Sequence, residues 1–137
     1  MNSLPQSDTA YVLRTSFSDA PAWAEIRRAI EAPVDGFLAY VRFVDDPAYD
    51  GATKQQVMDL FLHQPNHSFV IVADAVAMTD ADHPLLIIDL RREPGREFRA
   101  IPSAVQAIEN NLSISNMDFV EFAECVDTDG IFRSFPP

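Results

Sequence analysis

The sequence predicts one α+β (mixed α/β) domain across residues 1–137, with about four helices packed on a single mixed five-stranded sheet in the order β-α-β-α-β-β-β-α-α. Two apolar runs, residues 68–74 and 83–90, show no polar alternation and are bounded by turn residues, which is typical of strands covered on both faces. Elsewhere, apolar residues recur at helical spacing after residues that cap helices. We therefore expect a central pair of strands covered by helices.

The first strand and helix are predicted near the start of the chain. Residues 11–17 have the composition of a strand, and Ser18 or Asp19 can cap a helix that has Pro21 in its first turn. Pro33 ends that helix. Residues 1–9 are polar, and we expect them to form a flexible N-terminus.

A second strand–helix unit follows and leads into the two apolar runs. Residues 37–44 are predicted to form a strand, and Thr53 with Gln56 has the pattern of a capping box that begins the next helix. The first apolar run is the third strand, and residues 75–82 are a short connection with room for one helical turn. The second apolar run is the fourth strand.

The last part of the chain is predicted to contain one more strand and two helices. The turn at residues 93–95 returns the chain antiparallel along residues 97–101. Capping patterns then begin two helices, Ser103 with Gln106 and Ser115 with Asp118. Residues 127–137 are expected to form a loop-like C-terminal tail, held in place by its apolar side chains.

The charge of the chain limits its partners. Ten basic and twenty-one acidic residues give a net charge of −11. Such a surface repels phosphate backbones and anionic lipid, so we expect no nucleic-acid or membrane binding. Either a basic protein partner or simple solubility accounts for the charge.

Cysteine content and hydropathy predict a cytoplasmic location. The single cysteine, Cys125, cannot form an internal disulfide, no charged and apolar leader opens the chain, and no apolar run could span a bilayer. The ten phenylalanines would suit a homo-oligomer interface, which the sequence leaves undetermined. No motif indicates a cofactor, a zinc site or a catalytic nucleophile.

An acidic face is predicted on the last helix. A helical wheel places its apolar residues on one side, and the opposite side carries Asp118, Glu121, Glu124 and Asp127. Residues 103–130 include six acids and neither lysine nor arginine. The face is either solvated or a docking surface for a basic protein.

A polar string at the junction of the last two helices extends this candidate surface. It consists of Glu109, Asn110, Asn111 and Asn116, next to Asp118. We interpret it as part of a partner-binding site, with helix capping by the asparagine and aspartate side chains as the alternative. A basic cluster, Arg91, Arg92, Arg96 and Arg99, either holds an anion or pairs with neighbouring acids.

Carboxylates near strand ends provide an alternative kind of site. Asp45, Asp46, Asp74 and Asp89 lie at or near the ends of predicted strands, and ligand sites of open α/β sheets gather at the carboxyl edge. Asp45, Asp46 and Asp89 are therefore candidates for a divalent-metal site. The alternative is that Asp45 and Asp46 cap the following turn while Asp89 pairs with an arginine.

Several segments together resemble a known family. They are residues 39–49 (AYVRFVDDPAY), 83–86 (HPLL), 93–96 (EPGR), 109–114 (ENNLSI) and 116–119 (NMDF). The chain resembles a family of small acidic α/β proteins from actinobacteria, catalogued as a domain of unknown function. The resemblance implies a stand-alone bacterial cytoplasmic protein and transfers no catalytic residue.

Two functions remain as hypotheses from the sequence. The first is a non-enzymatic acidic interaction module, regulatory or immunity-like, that binds a basic partner. The second is a small enzyme or ligand-binding protein that uses the strand-end carboxylates, with or without a divalent metal.

Overall fold

The structure, a computed structural model, describes residues 3–136 and is a mixed α/β fold with one sheet. The strands are β1 (Ala10–Arg14), β2 (Val41–Val44), β3 (Phe69–Ala73), β4 (Leu85–Asp89), β5 (Glu97–Ala100) and β6 (Ile131–Phe132). The α-helices are α1 (Ala20–Glu31), α2 (Lys54–Asp59), α3 (Ala75–Thr79), α4 (Val105–Leu112) and α5 (Phe119–Ala123). In the sheet the strands are ordered β2-β1-β3-β4-β5-β6.

The sheet has six strands, so the prediction of five was wrong. The additional strand, β6, pairs in parallel with β5, and both of its residues are buried. Two residues are too short for any periodic pattern, so the sequence could not separate this strand from a loop-like tail. One helix is also additional, because residues 75–79 form α3, which Asp74 caps with its side chain.

The N-terminal segment contacts the body of the protein. Of residues 1–9, which are predicted to be flexible, Met1 and Asn2 lie outside the described residues, as does Pro137 in the tail. Leu4 is buried in the core, and the Pro5 carbonyl accepts a hydrogen bond of 2.6 Å from the Tyr11 hydroxyl. The flexibility of this segment stays a prediction.

The strand order places helices on both faces of the sheet. β1 pairs in parallel with β2 on one side and with β3 on the other. α1 leads from β1 to β2, and α2 carries the chain back past β1 to β3. Because parallel crossovers are right-handed, two crossovers that run in opposite directions along the sheet place their helices on opposite faces.

Two apolar clusters, one on each face, confirm this arrangement. α1, α3, α4 and α5 contribute to the larger cluster, together with sheet residues such as Val12, Ile71 and Ile87. The smaller cluster contains Val57 of α2 and Tyr11 of β1. Every residue of β3 and β4 is buried, which confirms these two apolar runs as the central strands.

The boundaries of the last helices differ from the predictions. Residues 102–104 form a short 3₁₀ turn before α4, and the predicted capping box of Ser103 and Gln106 does not form there. Ser115 has a φ of +56°, so it cannot begin a helix, and α5 starts only after Asp118. In the described part of the chain, no helix is both long enough and apolar enough to cross a membrane.

Candidate functional site

A tight turn follows α1 and leads toward β2. Asp35 and Gly36 have φ values of +52° and +83°, and two consecutive positive φ angles are those of a type I′ turn. Val34 and Phe37 exchange two backbone hydrogen bonds of 2.9 Å each across it. Asp followed by Gly is a sequence that adopts this turn readily, so the backbone entering the next segment is well defined.

Three exposed apolar side chains follow this turn, and we call Phe37, Leu38 and Tyr40 the loop patch. Phe37 and Tyr40 are each 61% exposed and Leu38 is 42% exposed. Large apolar side chains grouped on a surface mark interaction sites, and aromatic residues are enriched in protein interfaces. The loop patch therefore has the composition of a protein-binding surface.

Two residues of α4, Glu109 and Asn110, form hydrogen bonds with the backbone of the loop patch. Glu109 is only 5% exposed, and its Oε1 accepts hydrogen bonds from the Tyr40 N–H at 2.7 Å and from Asn110 Nδ2 at 2.8 Å. Asn110 Nδ2 also donates to the Leu38 carbonyl at 2.9 Å. The polar string identified in the sequence thus includes two residues that bond to the backbone from which these exposed apolar side chains project.

The other two members of the polar string bond within the junction of α4 and α5. Asn111 donates to the Ala107 carbonyl and accepts from Asn116 Nδ2, each at 2.8 Å. The Asn116 N–H donates to the Asn111 carbonyl at 2.9 Å. These hydrogen bonds lie within the helix junction, and a partner-binding role for the two asparagines stays a prediction.

The acids of the predicted acidic face lie close to arginines. Asp118 is 3.6 Å from Arg92, and Glu124 is 4.0 Å from Arg96. Glu121 accepts a hydrogen bond of 2.7 Å from the Asp118 N–H at the start of α5. Exposed ion pairs of this kind contribute little to stability, so these carboxylates stay accessible while part of their charge is balanced.

Asp127 lies outside the helical face that the sequence predicts, because α5 ends at Ala123. It belongs to a cluster of three carboxylates around Arg133, completed by Asp82 and Asp129, with contacts between 2.8 and 3.2 Å. The hydrogen bonds to Asp129, Asp127 and Asp82 raise the pKa of Arg133, and the bond from Arg133 lowers the pKa of Asp129. The cluster joins the C-terminal tail to the loop before β4.

The strand-end carboxylates do not meet at one edge of the sheet. β4 is antiparallel to β3, so Asp89 lies opposite Phe69 at the start of β3, whereas Asp74 follows the end of β3. Five residues of strand separate the two positions by about 16 Å. Asp89 therefore lies at the opposite edge of the sheet from Asp45 and Asp46, and the three do not form one site. The sequence grouped them because it does not indicate the direction of β4.

Each of these carboxylates has a role within the protein. Asp45 pairs with Arg14 at 3.1 Å, and Asp46 accepts from the Ala48 N–H at the start of a 3₁₀ turn. Asp89 accepts backbone N–H groups after β4, rather than pairing with a guanidinium; the donors are Arg91, Arg92 and Glu93. Within residues 3–136, no group of three histidine, cysteine or acidic side chains could hold a metal ion.

The crevice at which open α/β sheets bind ligands is filled by the protein itself. In a sheet with the strand order β2-β1-β3 it lies between the carboxyl ends of β1 and β3. The loop after β2 crosses this position: the Gly51 N–H donates to the Thr15 carbonyl at 2.8 Å, and Tyr49 is fully buried. Arg14 is also buried there, beside the Phe17 ring at 4.1 Å.

A cavity of about 500 Å³ lies elsewhere, between α2 and the turn that joins β4 to β5. Met58, Phe61, Pro65 and Leu90 contribute to its apolar lining, and Arg91 lies at its rim. None of the strand-end carboxylates lines it. The sequence did not predict this cavity, because it depends on how α2 packs against a distant hairpin.

The fold and the site together define a small mixed α/β protein whose most distinctive surface is an anchored apolar patch. The chain belongs to the family described as a domain of unknown function (DUF6924), whose model matches residues 9–135. A comparison with curated proteins gives no match.

Proposed function

We propose that the protein is a non-enzymatic interaction module that binds a basic protein partner in a regulatory or immunity-like role. The observation that carries the proposal is the loop patch, two aromatic side chains that are each 61% exposed on a backbone held by Glu109 and Asn110. A rigid apolar surface loses little conformational entropy on binding, so more of its contact energy contributes to affinity.

The charge distribution supports a basic partner. Six of the basic residues lie within ion-pair distance of carboxylates of the same chain: Arg14, Lys54, Arg92, Arg96, Arg99 and Arg133. The remaining acidic residues give the protein a net charge of −11, which is carried at its surface. Such a surface speeds encounter with a cationic partner and disfavours nucleic acid and anionic membranes. A bacterial, cytoplasmic setting belongs to the same proposal.

The experiment is affinity capture from cells that encode the protein, with the purified full chain immobilised. We expect a basic partner that is released by about 0.5 M salt, because screening at that ionic strength removes most of the attraction between exposed charges. The double variant Phe37→Ala/Tyr40→Ala should lose the partner. Leu62→Ala is the matched control, since Leu62 is 71% exposed in the turn after α2 and lies outside the loop patch.

Two results would contradict the proposal. Capture of the same partner by the double variant would show that the loop patch is not the binding surface. Binding that is indifferent to salt would remove the argument from charge. Both variants need circular dichroism spectra and melting temperatures close to those of the wild type, so that a loss of capture reports the surface rather than unfolding.

A further inference from the structure

The strand that follows the loop patch lies at the edge of the sheet. In the described part of the chain, β2 is paired on one side only, with β1. Thr15 directly follows β1, and its N–H donates to the carbonyl of Ala73, the last residue of β3. Odd-numbered residues of β1 therefore direct their backbone groups toward β3, and even-numbered ones toward β2. With Val12 opposite Phe43 in the register, the N–H and C=O groups of Val41 and Phe43 point away from the sheet.

This edge continues the loop patch. β2 begins one residue after Tyr40, whose own N–H is bonded to Glu109. The backbone N–H of Tyr40 is thus bonded to the interior, whereas Val41 and Phe43, which follow it, direct their backbone groups outward. An extended segment that pairs with Val41 and Phe43 would continue directly onto the exposed rings of Phe37 and Tyr40.

The charges around the edge specify the chemistry of the segment. Acidic residues lie on both sides of β2, with Asp35 in the turn before it and Asp45 and Asp46 directly after it. Arg42 is the single basic residue of the strand, and it is exposed. Arg27 of α1 lies over the Phe43 ring at 4.4 Å, and Arg14 pairs with Asp45 at 3.1 Å. The overall charge of −11 attracts a basic segment, whereas a second copy of the chain brings a further charge of −11 and is repelled.

We infer that the β2 edge accepts an extended segment of the basic partner as an additional strand, with its apolar side chains on the loop patch. This inference rests on the proposed function and specifies its binding mode. Main-chain hydrogen bonds to Val41 and Phe43 supply general affinity for a strand. The aromatic rings and the flanking acids select a segment in which apolar and basic residues alternate.

The test uses the full chain and a capped hexapeptide that alternates lysine and valine. A lysine–proline hexapeptide of the same charge is the control, because proline has no N–H and cannot pair as a strand. At saturating lysine–valine peptide, we expect amide exchange at Val41 and Phe43 to slow at least tenfold. The control peptide should leave these rates unchanged.

A backbone variant of the protein provides the second arm. Val41→Pro removes one outward N–H, and an edge strand tolerates proline where the N–H faces solvent. We expect the affinity for the lysine–valine peptide to fall at least tenfold. Arg42→Ala is the matched control, because it changes a side chain of the same strand and keeps every backbone donor; its affinity should equal or exceed that of the wild type.

Three outcomes would overturn strand addition. The first is equal binding of both peptides or protection confined to other elements, and the second is no binding at millimolar peptide. The third is a dimer, seen by sedimentation, that Val41→Pro abolishes, since a second copy would then occupy the edge. A cellular partner that is lost in Phe37→Ala/Tyr40→Ala but retained in Val41→Pro would refute this binding mode and leave the proposed function intact.

Discussion

The carboxylate of Glu109 on α4 accepts a hydrogen bond of 2.7 Å from the backbone N–H of Tyr40, a residue 69 positions earlier in the chain. A carboxylate this deeply buried is stable only with hydrogen-bond partners, and here they are the Tyr40 N–H of the loop patch and the side-chain amide of Asn110 on α4. The contact links the interior of the protein to its most exposed aromatic side chains. The geometry of the proposed binding surface therefore depends on a side chain that is itself buried.

Replacement of Glu109 should destabilise the protein in a graded way. Glu109→Ala leaves the Tyr40 N–H and the Asn110 amide without their acceptor, and we expect a loss of about 2–3 kcal/mol in the free energy of unfolding. Glu109→Gln keeps one acceptor oxygen and should cost about half as much. Urea denaturation measures both. Glu31→Ala, at an exposed helix end, should stay within about 0.5 kcal/mol of the wild type.

The pH dependence of stability should contain a contribution from His83. Burial lowers its pKa, but the hydrogen bonds to Glu25 and to the Ala77 carbonyl outweigh this effect, so the pKa is raised above 6.5. Both acceptors favour the imidazolium, which donates from each ring nitrogen. The stabilisation is therefore complete below about pH 6.5 and is lost as the pH rises through the folded-state pKa.

Urea midpoints measured between pH 5.5 and 8.5 test this contribution. His83 has a φ of +49°, so His83→Asn is a suitable variant, because asparagine tolerates the left-handed region and does not titrate. The difference in stability between wild type and variant should shrink as the pH rises. A difference that stays constant or grows with pH would contradict the assignment.

The ion pair between Arg99 and Asp74 should contribute measurably to stability. Its two hydrogen bonds, 3.0 and 2.8 Å, join β5 to the start of α3, and Arg99 also donates to the Pro84 carbonyl at 2.8 Å. Both side chains are largely shielded from solvent. A double-mutant cycle with Arg99→Met and Asp74→Asn should give a coupling energy of about 1–2 kcal/mol. Additive effects would show that the pair contributes nothing.

The sixth strand should be essential to the core. Phe132 is fully buried, and its ring lies 5.2 Å from that of Phe122 and 5.0 Å from that of Phe135. Phe132→Ala should cost about 3–5 kcal/mol in unfolding free energy. Phe135→Ala, at a partly exposed ring in the same tail, should cost about 1 kcal/mol. Similar, small effects of both would favour a loose tail.

The sequence predicted the interior better than the surface. Uninterrupted apolar runs identified β3 and β4 because burial on both faces leaves a local pattern. The direction of β4 leaves none, so Asp89 was grouped with carboxylates at the opposite edge of the sheet. The exposure of Phe37 and Tyr40 was missed because residues 37–44 have the composition of one strand, whereas β2 begins only at Val41 and the residues before it form a loop.

The most direct test of the loop patch is the dissociation constant of the purified partner for the wild type and for Phe37→Ala/Tyr40→Ala, measured by calorimetry. Aromatic residues at the centre of an interface each contribute about 2 kcal/mol or more, so we expect the double variant to bind at least 100-fold more weakly. Leu62→Ala should bind as the wild type does. An unchanged dissociation constant in a correctly folded double variant would contradict the assignment of the loop patch as the binding surface.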